Sequence, residues 1–196
     1  MKPMMQPLAA IACILTVCTA QAQKAEMPTP QDFKVGDTWE WRQIDSRTQL
    51  EEGKRSRTVV NDEGVLKFAS HTGEQSQIAS AFLGQPAAKP WRVWPLELGK
   101  KWEHEYEWKR VSDGVTIHKE QTAEVVAYEE VSVPAGKFMA FKIEYQGWYR
   151  NSKGSNGKIQ ETYWFAPAAK TDVKYRIDDG YNQYIRELVR YQPAPQ

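Results

Sequence analysis

Cysteine is nearly missing from this sequence. The chain has only two copies, Cys13 and Cys18, and both lie in the N-terminal segment. Disulfides, thiolate metal sites and cysteine nucleophiles are therefore excluded for everything that follows. A chain of 196 residues is long enough to bury a hydrophobic core, and we expect that core to supply the stability.

The chain also lacks an excess of one charge and a long hydrophobic run. Lys and Arg number 26 against 25 Asp and Glu, for a formal net charge of +1. Proteins dedicated to nucleic acid usually show a strongly basic field, so we exclude nucleic acid as a partner. The apolar run from Leu8 to Val17 is about 10 residues long, and a membrane-spanning helix needs roughly 20. We expect no transmembrane span in the mature chain.

The N-terminal segment has the three parts of a secretory signal. These are the early cation Lys2, the apolar run, and the small-x-small site Ala20-Gln21-Ala22. The pattern predicts a signal peptide over residues 1–22, cleaved after Ala22, and a periplasmic or secreted protein. A lipoprotein anchored through Cys18 is the alternative. It is less favoured because Val17 precedes that cysteine where the processing enzyme prefers Gly or Ala.

After a flexible lead over residues 23–32, the chain alternates with a period of two. The clearest case is Lys101 to Val111, in which Trp102, Tyr106 and Trp108 share one parity and the glutamates share the other. Successive side chains of a strand point to opposite faces, so one face is aromatic and the other charged. Similar segments predict an all-β, antiparallel domain of about ten or eleven strands. It would be barrel-like or built from two packed curved sheets.

A weak internal repeat divides the predicted domain, residues 33–192, into halves at 33–83 and 91–192. Residues 35–41 resemble residues 98–104, since each copy reads aliphatic-Gly-x-x-Trp and opens a long strand. The repeat predicts two related β-meanders, joined by a linker over residues 84–90.

A hairpin turn at Asp113-Gly114 is predicted after the aromatic strand, because a two-residue type I′ turn favours this dipeptide. This turn would place His104 opposite Ala123. It would also place His104 and His118 on opposite faces, where they cannot share a metal. No recurrent metal-ligand spacing occurs, so we assign no metal site.

Three motifs follow one another in the second half. They are Trp94-Pro95-Leu96-Glu97-Leu98-Gly99-Lys100-Lys101-Trp102, then Val133-Pro134-Ala135-Gly136-Lys137-Phe138, then Trp164-Phe165-Ala166-Pro167. This order resembles exported bacterial proteins of unknown function that are labelled TapB-like. The resemblance covers roughly residues 93–178 and departs after Pro167, where Lys170-Thr171-Asp172 precedes Val173-Lys174. It implies an all-β, barrel-like envelope domain, and it supplies no catalytic residues.

No catalytic constellation emerges from the sequence, and we assign no catalytic residue and no cofactor. There is no G-x-S-x-G elbow and no phosphate-binding glycine loop. Glu103, Glu105 and Glu107 share a strand face, and neighbours two apart lie roughly 7 Å from each other. That spacing leaves open a carboxylate-dependent hydrolase acting on an envelope glycan. The alternation nevertheless favours a solvated face for these residues.

The aromatic residues are the most unusual feature, with 8 Trp, 9 Tyr and 6 Phe. Trp102, Tyr106 and Trp108 share one face, and Trp39 and Trp41 share one in the first half. Such rings fill the core of a β-fold or line a binding surface. We take these five as the candidate binding residues. We expect a non-enzymatic envelope domain that binds a lipid or other apolar or amphipathic ligand, or an envelope protein. A strand edge that pairs with a partner is a third hypothesis.

Overall fold

Ten antiparallel strands in one sheet make up the fold. The computed structural model describes residues 26–79 and 89–195. The predicted signal peptide and most of the predicted linker lie outside the described residues. The strands are β1 (Thr38–Asp45), β2 (Glu51–Asp62), β3 (Val65–Ser70), β4 (Gln75–Gln77), β5 (Lys101–Lys109), β6 (Thr116–Val133), β7 (Gly136–Asn151), β8 (Asn156–Ala166), β9 (Thr171–Asp178) and β10 (Gln183–Gln192). The all-β, antiparallel prediction is confirmed.

The order of the strands shows two meanders joined by one long-range pairing. The order is β4-β3-β2-β1-β10-β9-β8-β7-β6-β5, so β1 to β4 and β5 to β10 each run in sequence. Antiparallel pairing of β1 with β10 joins them. The result is one curled, open sheet rather than two packed sheets. The curl brings distant strands together, and the backbone N–H of Ala135, beside β7, donates to the carbonyl of Leu188 on β10.

The sequence repeat corresponds to a repeated backbone turn. In the first copy, Gly36 donates to the carbonyl of Val59, and Val59 donates back to Asp37. In the second copy, Gly99 donates to Val125, and Val125 donates back to Lys100. Both glycines have positive φ, at 97° and 80°, a region that favours glycine. The shared glycine therefore reflects a shared entry into β1 and β5.

The concave inner face of the curled sheet carries the hydrophobic core. Trp39, Val59, Ile143, Tyr145 and Leu188 are completely buried there. The aromatic side of β5 faces inward, since Trp102 pairs with the buried Ala123. Its glutamates are exposed on the outer face. The predicted separation of an aromatic and a charged face is thus confirmed.

The predicted hairpin register was wrong by two residues. His104 lies opposite Gln121 rather than Ala123. The turn is wider than two residues, because Arg110 donates its backbone N–H to the carbonyl of Val115. The Asp113 carboxylate holds this wider turn by accepting two bonds from the Arg110 guanidinium, at 2.7 and 2.9 Å. A shift of two residues preserves the face of every side chain, so His104 and His118 still lie on opposite faces.

The segment of residues 89–96 packs on the inner face and partly covers it. The backbone carbonyl of Trp91 accepts hydrogen bonds from the Tyr145 hydroxyl at 2.6 Å and from the Trp102 indole at 3.1 Å. Arg92 is buried and pairs with Asp172 on β9 at 3.1 Å. This segment therefore connects β7, β5 and β9. Among the described residues, no helix has the length and apolarity needed to cross a membrane.

Candidate ligand-binding cavity

A cavity of about 380 Å³ opens on the inner face, between the first meander and β8 to β10. Binding sites for small molecules typically measure roughly 300–1,000 Å³. Its walls combine aromatic rings with guanidinium groups. The residues that supply them include Trp41, Arg55, Arg57, Tyr163, Tyr175 and Arg186. Strand register places them together, because Trp41 lies opposite Arg55, and Tyr175 lies opposite both Tyr163 and Arg186.

Arg57 is a cation set among rings. Its guanidinium carbon lies 4.0 Å from the centre of the Phe68 ring, 5.0 Å from Trp39 and 5.4 Å from Trp41. It donates one hydrogen bond to the Thr171 hydroxyl at 3.0 Å. Burial lowers the pKa of Arg57 to about 10, although the nearby Asp172 opposes that shift. Its Nε atom is buried and has no hydrogen-bond partner among the described residues.

Arg186 resembles Arg57 in its surroundings. Its guanidinium carbon lies 5.5 Å from the ring centres of both Tyr175 and Tyr184. It donates to the side-chain oxygen of Gln43 at 3.1 Å, and its Nε atom is also buried without a partner among the described residues. Among the residues that the structure describes, neither Arg57 nor Arg186 forms an ion pair.

Two arginines of β1 and β10 that lie on the outer face are paired with glutamates. Arg42 on β1 contacts Glu187 at 3.1 Å, and Arg190 on β10 contacts Glu40 at 3.5 Å. The sheet thus places carboxylates beside these two outer arginines, whereas neither Arg57 nor Arg186 has one as a partner in the part of the chain that the structure describes. An unpaired cation in a partly buried position is energetically costly unless another group compensates it.

The interior carboxylates near the cavity are already engaged. Asp172 lines the cavity and is paired with Arg92, whose side chain is 5% exposed. Glu161 on β8 lies opposite the completely buried Tyr145 and is itself buried. It accepts hydrogen bonds from Lys119 at 3.2 Å, Gln121 at 2.9 Å and the Tyr175 hydroxyl at 2.7 Å. These contacts leave the cavity with a positive character.

The candidate residues of the first half separate in the structure. Trp39 is completely buried and donates its indole N–H to the carbonyl of Ala169 at 2.7 Å, so it belongs to the core. Trp41 lines the cavity and donates to the carbonyl of Asp172 at 3.0 Å. Its indole N–H is therefore occupied, and Trp41 offers the cavity an apolar ring face.

The candidate residues of β5 form a second group, whose side chains are more exposed than those of the first half. Trp102 is half-buried under Trp91, whereas Tyr106 is 53% exposed and stacks on Trp108 with ring centres 5.5 Å apart. Trp108 lines a second cavity of about 540 Å³ together with Tyr149. The structure thus does not bring the five candidate residues into one site, and their binding role stays a prediction.

The charged outer face of β5 and β6 contains the one cluster of potential metal ligands among the described residues. The Nε2 atom of His118 lies 2.9 Å from Glu120 and 3.3 Å from Glu105. Lys89 already contacts Glu105 at 3.1 Å, and Arg150 contacts Glu120 at 3.5 Å. Cations of the chain therefore balance these exposed carboxylates, and we assign no metal to them.

Sequence reasoning missed the arginines of the cavity, although a signal was present. Arg55 and Arg57 alternate with the same parity as the apolar Val59, and Arg186 has the parity of Leu188. Parity alone places such cations on the core face. Glu161 could not have been found in this way, because its partners come from β6 and β9.

Comparison with known proteins supports the fold and does not identify a function. No family model and no curated protein sequence matches the chain. The structure is similar to that of a candidate lipoprotein from Parabacteroides distasonis ATCC 8503, with 13% identity and a TM-score of 0.57, over 86% of this chain and all of the other. A candidate exported protein with a YmcC-like fold from Bacteroides fragilis NCTC 9343 has 13% identity and a TM-score of 0.49, over 82% of this chain and 97% of the other. At such identity, the first similarity shows a shared fold, and no residue roles are transferred.

Proposed function

We propose that this chain is an exported protein of the bacterial envelope whose domain, residues 33–192, binds a small amphipathic ligand without catalysing a reaction. The observation that carries the proposal is the cavity of about 380 Å³ on the inner face, whose wall combines the rings of Trp41, Tyr163 and Tyr175 with arginine side chains. Such a wall suits a molecule that has both an apolar body and a polar group.

Export rests on the N-terminal pattern over residues 1–22 and on the motifs that resemble TapB-like proteins. The similar fold of a candidate lipoprotein supports an envelope location as well. We propose cleavage after Ala22 and membership of the TapB-like family on these grounds.

The hydrolase alternative gains no support from the three glutamates that motivated it. Glu103, Glu105 and Glu107 lie exposed on the outer face, and both cavities lie on the inner face. A glycan in the cavity would therefore not meet this set of carboxylates.

Periplasmic expression tests both parts of the proposal. The full sequence is produced with its own N-terminal segment, purified from the periplasm and analysed by native mass spectrometry. We expect an N-terminus at Gln23 and a bound species that denaturation releases. Added decanoate, present at 100 times its Kd, would stabilise the ligand-free protein by about 2.7 kcal/mol. That gain corresponds to a rise in Tm of roughly 5–10 °C for a chain of this size.

A cavity-filling variant provides the matched control. Ser70 lines the cavity, whereas its neighbour Ala69 lies on the opposite face of β3. We expect Ser70→Trp to abolish the bound species and the rise in Tm, and Ala69→Trp to retain both. If no species co-purifies and neither decanoate nor decanol changes the Tm, the binding proposal fails.

A further inference from the structure

We infer that the ligand of this cavity is an anion, whose carboxylate or phosphate group is bound by Arg57 and Arg186. The inference rests on the proposed binding function and deepens it by naming the charge of the ligand. It also assigns a binding role to these two arginines, which sequence reasoning did not identify.

The distribution of charge around the cavity favours an anionic ligand. Three arginines, Arg55, Arg57 and Arg186, line the cavity together with two carboxylates, Glu74 and Asp172. Asp172 is already paired with Arg92, and Glu74 is exposed to solvent. The interior part of the cavity wall therefore carries an excess of positive charge.

The geometry of the two guanidinium groups suits a carboxylate or phosphate. Each is held by one hydrogen bond from an Nη2 atom, to the Thr171 hydroxyl for Arg57 and to the side chain of Gln43 for Arg186. In each, the Nε atom is buried, so the Nη atoms are the donors available to a ligand. A guanidinium fork that is already oriented and still has donors matches the paired oxygens of a carboxylate or phosphate.

The aromatic walls leave recognition of the charged group to the arginines, because their own polar atoms already form hydrogen bonds within the protein. The indole N–H of Trp41 donates to Asp172, and the hydroxyls of Tyr163 and Tyr175 donate to Glu161. These three residues therefore offer the ligand apolar surface rather than hydrogen bonds. The arginines are left to orient the charged end, while the rings contact the apolar body.

Calorimetric titration with three ligands of equal chain length tests the inference. Decanoate and decyl phosphate represent the two sources of the anionic group, and decanol lacks the charge. We expect both anions to bind at least tenfold more tightly than decanol, because hydrogen bonds to charged groups are among the stronger ones. The preferred anion identifies the source of the natural head group.

Two substitutions on β10 separate the cavity from a general effect of charge. Arg186→Gln should weaken decanoate binding about tenfold or more and leave decanol binding unchanged. Arg190→Gln removes the same charge from the same strand on the outer face and should change the Kd by less than about twofold. Arg57→Lys keeps a charge but loses the fork, and it should also weaken binding of the anions. Thermal unfolding of each variant verifies that it is folded.

The outcomes distinguish the two proposals. Binding of decanol as tight as that of decanoate, with no effect of Arg186→Gln, would overturn the anion inference and leave the binding function standing. No binding of any of the three molecules, together with no co-purified species, would remove the binding function itself. An equal loss in Arg186→Gln and Arg190→Gln would show a general electrostatic effect and would also overturn the inference.

Discussion

Asp37 and Lys170 form an ion pair in which Oδ2 and Nζ are 2.6 Å apart, and the side chain of Asp37 is only 1% exposed. Asp37 also accepts hydrogen bonds from the backbone N–H groups of Lys34 at 3.1 Å and Ala194 at 2.8 Å. One carboxylate thus connects the start of β1, the turn before β9 and the C-terminal segment. Residues that are far apart in sequence depend on it for their position.

Loss of the Asp37 charge should destabilise the fold. Asp37→Asn leaves Lys170 without its partner in a mostly buried position, and such a loss typically costs about 3 kcal/mol. Urea unfolding followed by tryptophan fluorescence measures the change in free energy. Glu130→Gln is the control, because Glu130 and Lys137 form an exposed pair. An equal effect of the two substitutions would contradict the assigned role of Asp37.

The same pair predicts a dependence of stability on pH. Burial opposes ionisation of Asp37, but the bonds from Lys170, Ala194 and Lys34 outweigh it and hold its pKa below the ordinary value. A lowered pKa stabilises the fold above the unfolded value of about 3.9, and this contribution is lost as the pH falls through the folded value. Between pH 7 and pH 3, the wild type should therefore lose more stability than Asp37→Asn. Parallel pH curves would refute this.

Two tryptophans should differ in their contribution to stability although both lie on strands. Trp39 is completely buried, and truncation of such a residue to alanine typically costs about 4 kcal/mol. Trp148 is 54% exposed on β7, so Trp148→Ala should cost less than about 1 kcal/mol. Thermal unfolding of both variants measures the difference. A small effect of Trp39→Ala would place Trp39 outside the core.

Gly147 should not tolerate a side chain. A Cβ atom at this position would lie 2.0 Å from the backbone carbonyl oxygen of Glu120 on β6. The backbone would have to move, so we expect Gly147→Ala to cost about 3 kcal/mol, at the upper end for overpacking. At Gly53 on β2, a Cβ atom meets nothing within 4 Å, and Gly53→Ala should be neutral or stabilising. Chemical denaturation compares the two, and equal effects would argue against the close contact.

Much of the fold could be predicted from local pattern. Alternation along β5 predicted an inward aromatic face and an outward face with Glu103, Glu105 and Glu107, because strand geometry forces this period. The hairpin register could not be predicted in the same way. It depended on the Asp113 carboxylate, which binds the Arg110 side chain and stabilises a wider turn.

Local pattern predicted less of the candidate site than of the fold. Trp39 and Trp41 have the same parity and the same residue type, yet one is core and the other lines the cavity. Their difference arises because the rings of Phe33, Phe68 and Tyr191 enclose Trp39, whereas Trp41 borders the open cavity. Side-chain parity assigns a face of the sheet but not a depth within it.

The sequence by itself determined the all-β class and the alternation of the two faces along a strand such as β5, because these follow from the geometry of residues that are close along the chain. Only the tertiary structure decided that β1 pairs with β10 and that Arg57 and Arg186 meet at one cavity without a carboxylate partner among the described residues. The curl of the sheet brings these groups together, and it depends on contacts between strands that are distant in sequence.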